Sequence, residues 1–468
     1  TTGKPIDGRN LWSTRVTLGL HPLSWANADL VWEHFHEQDD RIRSAKQLCK
    51  KDPGPQSVAG LDLDTTSNTS VYNANFYRSW LSQGCLPTSL YSSDAFETPN
   101  GQSIPFVAAG EFLFNGAGGS APGGFLLNPV DPYASTVQST NLRNIESTVP
   151  SEYKAKNDTM ELNAHWRLTP LLTFDSQTGY NRDFLWSLED FNRFETSPGI
   201  FVANRVINTF QHPPYQITDA DGVFCDPQLG CSNRLVSEDL STEDAWQFSQ
   251  EFRLTSALEG PFNFSAGGNY LHYETEDKFY VFSNAFTLIA FAGNRCESEW
   301  APGVTDALHC LRNGRQYSTT DSGGVPTQYP TYIDPNPFES LNDNGHNYFL
   351  SKNPYVLNSY AMFGEAYYQL TEDLKLTGGL RWTDDQKHFP LFPSRALNTG
   401  NYGIQQQGEI DQSWKKFSGR AVVNWTPKLD FTDQTLVYAS YSHGYKAGGA
   451  NPPPAVLSAN QGIAFPLH

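Results

Sequence analysis

Alternation of apolar and polar side chains with a period of two is the feature that most limits what this chain can fold into. In the segment 374–383, Leu, Gly or Trp at even positions alternates with Lys, Thr, Gly or Arg at odd positions. Successive side chains of a β-strand point to opposite faces, so the pattern predicts a strand with one apolar and one polar face. The alternating segment 362–370 precedes it, and the short polar turn 371–373 joins the two into a predicted hairpin.

The same unit recurs along the chain, which predicts ten strands in five hairpins. The hairpins are expected at about 11–37, 157–187, 245–280, 357–388 and 413–446. The loops that follow them are expected at about 38–156, 188–244, 281–356, 389–412 and 447–468. These loops are rich in Gly, Pro, Asn, Ser and Asp and are longer than compact soluble domains normally carry. Alternating short turns and long loops are typical of outer-membrane barrels. The predicted fold is therefore all-β: a transmembrane antiparallel up-and-down β-barrel segment with long extracellular loops.

Basic residues within the predicted strands provide a check on this fold. A basic side chain on the lipid face near the bilayer midplane costs about 2–4 kcal/mol. Six basic residues all fall on the predicted polar faces: Arg15, Arg167, Arg253, Lys375, Arg381 and Arg420. Random placement would put about half of them on the apolar faces, so their distribution favours a membrane barrel over a soluble sandwich.

The composition excludes some classes of protein. The 468 residues carry a formal net charge of −18, which argues against the basic footprint of a nucleic-acid-binding protein. No apolar run is long enough for a membrane-spanning helix. Aromatic residues make up 13% of the chain, as the aromatic girdles of barrels require. A secreted all-β protein would share this composition, so composition alone leaves both classes open.

Six cysteines form three local pairs, each within one predicted loop. The pairs are Cys49 with Cys85, Cys225 with Cys231, and Cys296 with Cys310. Such pairing predicts disulfides formed in an oxidising compartment, and closing a loop the length of the third pair would stabilise by roughly 3 kcal/mol. A metal site at Cys310 would lack a complete zinc ligand set. The chain opens without an apolar leader, so either a leader was removed or the chain is an internal piece.

Candidate ligand contacts lie in the first long loop, which carries Tyr72, Phe76, Tyr77 and Trp80. These aromatic side chains would either meet a ligand or pack the loop's own small core. His34 and His36 share one face of a strand end, where a solvated strand terminus is a simpler explanation than a metal or haem site. We predict no catalytic residues, no metal site and no cofactor.

Three predicted strands resemble the barrel of TonB-dependent receptors. The segment 437–449 reads VYASYSHGYKAGG, where members of that family often read YASYSRGYKSGGFN; His443 and Ala450 depart from the pattern. The segment 374–383 resembles a family strand that reads LTAGLRYT, and 248–254 resembles one that reads ISQELRL. The three segments occur in the family's order, each on a predicted strand.

The resemblance implies a barrel of about twenty-two strands, closed by an N-terminal plug domain, in the bacterial outer membrane. It also implies active uptake of a scarce nutrient, foremost a ferric siderophore or similar iron chelate, driven by the TonB complex through the plug. No plug-like segment precedes the first hairpin, and strands expected after 446 are not recognised. We therefore expect the middle of a receptor, with outer-membrane lipid, TonB and a small ligand as partners and no nucleic acid.

Two other functions remain open from the residues alone. Some surface proteases are ten-stranded barrels, but their chemistry needs acidic and histidine side chains that converge at the rim. His34 and His443 are the candidates, and no spacing connects them. A passive porin or an adhesin would need no plug and no energy source.

Overall fold

The computed structural model describes residues 3–62, 78–79, 81–101, 131–201, 206–207, 215–216, 218–287, 319–320, 326–328, 334, 336–341, 343, 346–396 and 405–451. Ten long strands form one sheet whose spatial order is the order of the chain. They are β1 Leu11–Leu23, β2 Ala26–Asp39, β3 Glu152–Thr169, β4 Leu172–Asp190, β5 Ser237–Ser256, β6 Phe262–Ser283, β7 Phe349–Thr371, β8 Leu374–Leu391, β9 Gly408–Trp425 and β10 Val437–His443.

Every neighbouring pair in this sheet is antiparallel. The all-β antiparallel meander predicted from the alternation is therefore confirmed. Short two-stranded sheets, with two or three residues per strand, occur in the loops. In the part of the chain that the structure describes, no helix has the length and apolar character needed to cross a membrane.

The first turn differs from its predicted position. The sequence places it at Pro22-Leu23, whereas Leu23 still pairs with Ala26 and the chain reverses at 24–25. The register shifts between Leu20 and Leu23. Proline has no backbone N–H for the ladder and is tolerated at such irregularities. The bulge around Pro22 therefore extends the strand where the sequence suggests its end.

The strands also run further toward the long loops than the alternation indicates. β3 begins at Glu152, β5 at Ser237 and β7 at Phe349, each several residues before the predicted hairpins at 157–187, 245–280 and 357–388. Backbone pairing continues there because the added residues keep the register of the strands. The strict alternation of apolar and polar residues stops short of the strand ends, because loops cover the apolar face at this level and charged residues occupy these positions.

The register gives the sheet one apolar face and one polar face. Met362, Trp382 and Phe417 are cross-strand neighbours on the apolar face, beside Leu380 on the next rung. Met362 is 70% exposed, Phe417 68% and Leu380 67%. The six basic residues named above lie on the opposite, polar face, whereas Arg182 and Lys415, nearer the long loops, share the parity of the apolar face. A continuous apolar face of this kind exceeds what a water-soluble monomer normally exposes.

A hydrophobic core lies on the apolar face at the loop ends of β4 to β7. It consists of Trp186, Leu188, Leu240, Tyr280, Phe282, Tyr348 and Leu350. Leu229, Phe338 and Leu341 reach over it from the loops. The rings of Phe282 and Phe338 are 4.6 Å apart at their centroids. Beyond the exposed apolar belt, the loops therefore fold back onto the outer surface of the sheet.

Candidate functional site

The structure joins two of the three predicted cysteine pairs. Cys49 and Cys85 form a disulfide, as do Cys225 and Cys231. The first packs with Tyr133 of the first loop and Phe194 of the second loop in a small core. Cys296 and Cys310 lie outside the described residues, and so do Tyr72, Phe76, Tyr77 and Trp80.

The two histidines near the end of β2 have different surroundings. His34 Nδ1 lies 2.8 Å from Asp158 Oδ1 on β3, and its ring packs near Trp12 and Trp32. His36 lies beside the ring of Trp12. No group of three or more His, Cys, Asp or Glu side chains within the described ranges is arranged to hold a metal ion. His443 lies on β10, at the other end of the strand order from β2.

An aromatic and basic cluster on the polar face is the first feature that the sequence analysis missed. The ring of Phe363 lies between two guanidinium groups, with its centroid 5.4 Å from Arg253 Cζ and 5.7 Å from Arg381 Cζ. Distances within about 6 Å are favourable for cation–π attraction. Phe363 pairs across the strands with Gly267, and a Cβ at that glycine would lie 2.7 Å from Phe363 Cζ. The ring therefore occupies the space that a side chain at position 267 would fill.

A charged pair lies beside this cluster. Arg420 Nε and Nη2 donate to Glu365 Oε2 and Oε1 at 2.9 and 2.8 Å, which is a bidentate arrangement. Glu365 lies over Gly379, where a Cβ would come within 3.0 Å of Glu365 Oε2. Lys375 Nζ lies 4.8 Å from the ring centroid of Tyr367. The glycine pairs 267–268 and 378–379 were the available sequence signal, because glycine inside a strand often marks a close approach.

An acidic group occupies the polar face nearer the long loops. Glu243 on β5 is the cross-strand partner of Asp277 on β6, and Asp183 on β4 pairs with the position two residues along from Glu243. Thr275 Oγ1 donates to Asp277 at 2.9 Å, and the Asn157 side-chain amide donates to Asp183. None of the three carboxylates forms an ion pair with another described residue. From β5 to β9, the polar face thus carries mainly basic side chains toward the turns, whereas acidic side chains lie toward the loops; on β4, Asp175 lies opposite Arg253.

The first long loop is fastened to the polar face at its loop end. Arg43 Nη2 lies 2.6 Å from Asp239 Oδ2, and its backbone N–H donates to Glu189 at 3.0 Å. Arg193 also contacts Glu189. Asp239 and Glu189 are almost fully buried. Buried carboxylates need such partners, so Arg43 holds the start of the loop against β4 and β5.

Glu238, which precedes Asp239 in β5, is a buried carboxyl group without an ion-pair partner among the described residues. Its side chain points to the apolar face, beneath the loops, where its Oε2 finds no hydrogen-bond donor among the described residues. Burial raises the pKa of Glu238 to about 8, and nearby Asp190, Asp226 and Asp239 add to the shift. This carboxyl lies beyond the exposed apolar belt.

Solved structures give distant likenesses. The ferric yersiniabactin uptake receptor FyuA from Yersinia pestis is 9% identical over 93% of this chain and 37% of its own, with a TM-score of 0.40. The ferric-catecholate import receptor Fiu from E. coli K12 is 12% identical over 93% and 46%, with a TM-score of 0.43. The siderophore receptor PiuA from Acinetobacter baumannii is 11% identical over 93% and 41%, with a TM-score of 0.39. This chain spans less than half the length of each.

Sequence comparison with curated proteins finds no match. The scan against protein families does find one. Residues 56–462 match the family described as TonB dependent receptor-like, beta-barrel. The match covers most of the chain and includes all three segments that carry the resemblance. The chain belongs to the TonB-dependent receptor β-barrel family.

Proposed function

We propose that this chain forms part of the wall of an outer-membrane receptor that actively takes up a small nutrient. In this proposal the apolar face contacts lipid and the polar face lines the lumen. The observation that carries it is a ten-stranded antiparallel sheet with one exposed apolar face, in a chain of this receptor family. Family membership favours a receptor over a surface protease, a passive porin or an adhesin.

We further propose that the cargo is a ferric siderophore or a similar iron chelate, and that TonB supplies the energy through a plug domain. The family resemblance implies this cargo first, and the polar face offers both acidic and basic groups to a chelate. The long loops would provide the first contact, with Tyr72, Phe76, Tyr77 and Trp80 as candidates.

Uptake of radiolabelled iron tests this proposal. Wild-type cells, a deletion of the receptor gene and the complemented deletion are compared with a panel of ferric chelates under iron limitation. We expect one chelate whose uptake is lost on deletion, restored by complementation, and abolished by an uncoupler or by loss of TonB. If the deletion changes the uptake of none of the ferric chelates, iron is rejected as the cargo. If loss of TonB changes the uptake of none of the solutes that the protein transports, its proposed role as a TonB-dependent receptor is rejected.

Membrane fractionation tests the location separately. The receptor should sediment with the outer membrane and resist extraction by salt and alkali, because its apolar face would be buried in lipid. Recovery in the soluble fraction would contradict the proposed placement.

A further inference from the structure

The chain concentrates its negative charge on the loop side of the sheet. The five segments expected as loops carry 30 Asp and Glu residues against 17 Lys and Arg residues, which accounts for 13 of the 18 net negative charges of the chain. A field of one sign at an entrance raises the local concentration of ligands of the opposite sign. A cationic solute would therefore be drawn toward this end of the sheet, and an anionic solute would be repelled.

The acidic group on the polar face extends this negative charge along the strands. Its members are Asp183, Glu243 and Asp277, on the neighbouring strands β4, β5 and β6. Within the part of the chain that the structure describes, Glu243 has neither a hydrogen-bond donor nor a cationic partner. Neighbouring carboxylates repel one another, so a cation beside them would lower the energy of this surface.

Basic side chains are absent from the described wall beside the acidic group. The polar-face positions within 243–249 on β5, and the positions on the same rungs of β4, β6 and β7, include no Lys, Arg or His. Arg43 lies nearer the loops, where Asp239 already engages it. On β8, the Lys387 ammonium donates to Gly448 O at 2.5 Å. The described cations at the borders of the acidic group are therefore engaged elsewhere.

Three aromatic rings on the same face lie beside the acidic group, and we call them the aromatic row. The ring centroids of Tyr273 and Tyr355 are 6.0 Å apart, and those of Tyr355 and Phe389 are 5.0 Å apart. Asp277 pairs with Asn353, so Tyr355 is its diagonal neighbour, at a backbone separation of about 7–8 Å. All three rings are only half-buried. Their faces can therefore attract a cation from the polar side of the sheet.

The combination of carboxylates and rings selects among ligands. An anion would be repelled by the acidic group. A metal ion needs ligands that converge on one point, and no described group of three or more His, Cys, Asp or Glu side chains does so. An organic ammonium group fits both parts, because its N–H groups can donate to carboxylates while its charge lies over a ring.

We propose that the acidic group and the aromatic row bind a protonated amine carried by the cargo. The inference rests on the proposed function, because it takes the polar face as the lumen wall and a ferric chelate as the cargo. It adds the chemical class of that chelate, which bears an ammonium group. Glu243 and Asp277 would accept its hydrogen bonds, and Tyr355 would lie beside its charge.

Two ferric chelates that differ in one charge test the proposal on the full-length receptor in outer membranes. The first is the ferric complex of desferrioxamine B, a trihydroxamate whose pendant amine is protonated at neutral pH. The second is its N-acetyl derivative, because acetylation removes the charge of an amine. Equilibrium dialysis with radioactive iron measures the Kd of each. We expect the amine chelate to bind about tenfold more tightly.

Neutral variants of nearly equal size test the carboxylates. Glu243→Gln with Asp277→Asn should abolish the preference for the amine chelate, because the charges that attract the ammonium group are gone. The affinity for the acetylated chelate should not change. The control Glu274→Gln removes a carboxylate from the opposite face of β6 and should keep the preference. Heat-dependent gel mobility verifies that each variant is folded.

The ring of Tyr355 is tested in the same assay. Tyr355→Leu should reduce the preference for the amine chelate several-fold, whereas Tyr355→Phe keeps the ring and should retain the preference. A preference that survives Tyr355→Leu but is lost in the carboxylate variant would assign the site to any cation, including a metal ion, and would overturn the proposal.

The wild-type receptor can also overturn the proposal. Equal binding of the two chelates, tighter binding of the acetylated chelate, or binding of neither would each do so. Iron uptake is measured on the same cells. TonB-dependent uptake of a ferric chelate without a preference for the amine form would reject this inference alone, whereas selective binding without TonB-dependent uptake would reject only the proposed function.

Discussion

Gly267 is the residue on which the aromatic cluster of the polar face depends. Its missing side chain leaves the space for Phe363, and Phe363 in turn separates Arg253 from Arg381. Alternation in the sequence predicts that Phe363 and Arg381 share a face. It does not predict that they touch, because contact depends on the register between strands. Register follows from pairing along the whole strand, and no single residue encodes it.

Replacing Gly267 with Ala should destabilise the protein. The added Cβ would lie 2.3 Å from Phe252 O and 2.7 Å from Phe363 Cζ, and the backbone oxygen cannot yield without disturbing the ladder. Overpacking of this kind costs roughly 1–3 kcal/mol. The free energy of unfolding, measured by urea titration in lipid vesicles, should fall by that amount.

Gly378→Ala is the matched control, since a Cβ at position 378 meets nothing within 4 Å. This variant should be neutral or stabilised by up to about 1 kcal/mol, because alanine loses less backbone freedom than glycine. Equal losses in the two variants would show that the space beside Phe363 has no special importance.

Glu238 should make the loop end of β5 less stable as pH rises. Its unfolded pKa is near 4.5 and its folded pKa is about 8, so the folded state binds the extra proton between these values. Stability is therefore lost as pH rises from about 4.5 to about 8, by an amount of up to roughly 5 kcal/mol. Glu238→Gln should weaken this dependence, because burial also raises the pKa of Asp239, and it should be the more stable form at pH 8.

Hydrogen exchange of the backbone amides at 237–241, corrected for intrinsic rates, measures this effect. Glu152→Gln removes a more exposed carboxylate on β3 and serves as the control, which should keep the wild-type profile. A pH profile that is unchanged in Glu238→Gln would show that this carboxyl is not buried beneath the loops.

At the scale of elements, the hairpins were predictable and the loop packing was not. Each strand of the sheet carries its own alternating pattern, and each short turn joins neighbours in sequence. The core at the loop ends brings together Phe282, Phe338 and Tyr348, which no short-range pattern connects. The strands therefore extend beyond the residues that alternate. β5, for example, begins at Ser237, several residues before its predicted start at about 245.

The disulfide of Cys49 and Cys85 should hold the first loop more firmly than that of Cys225 and Cys231 holds its hairpin. The sequence separations are 36 and 6 residues, respectively. Loop-closure entropy then gives a local stabilisation of about 4 kcal/mol for the first and about 2 kcal/mol for the second. Cys49→Ala with Cys85→Ala should increase hydrogen exchange around 84–100 by more than the equivalent double variant does around 224–232. Equal or reversed effects would reject loop length as the deciding factor.

At the scale of the whole molecule, the main feature is that the sheet has one apolar face and one polar face. Apolar side chains such as Met362 and Leu380 lie exposed on one face. Charged groups occupy the other face, where acidic side chains such as Glu243 and Asp277 lie toward the loops and basic side chains such as Arg381 and Arg420 lie toward the turns. The family follows from the strand sequences, and residues 56–462 match it. Which charged side chains lie side by side on the polar face depends on the register between strands, so this arrangement could not be predicted from the sequence.

Spin-label accessibility along β8 tests the central claim, that the apolar face contacts lipid and the polar face contacts water or protein. Single cysteine variants at positions 374–383 are labelled in a background that keeps the disulfides Cys49–Cys85 and Cys225–Cys231 and replaces Cys296 and Cys310 by serine. Collision rates with oxygen, which concentrates in lipid, are compared with those of a water-soluble nickel complex. The account predicts a period of two, with high oxygen access at Leu376, Gly378 and Leu380 and low access at Thr377, Gly379 and Arg381. Equal access on both faces, or lipid access on the face of Arg381, would contradict it.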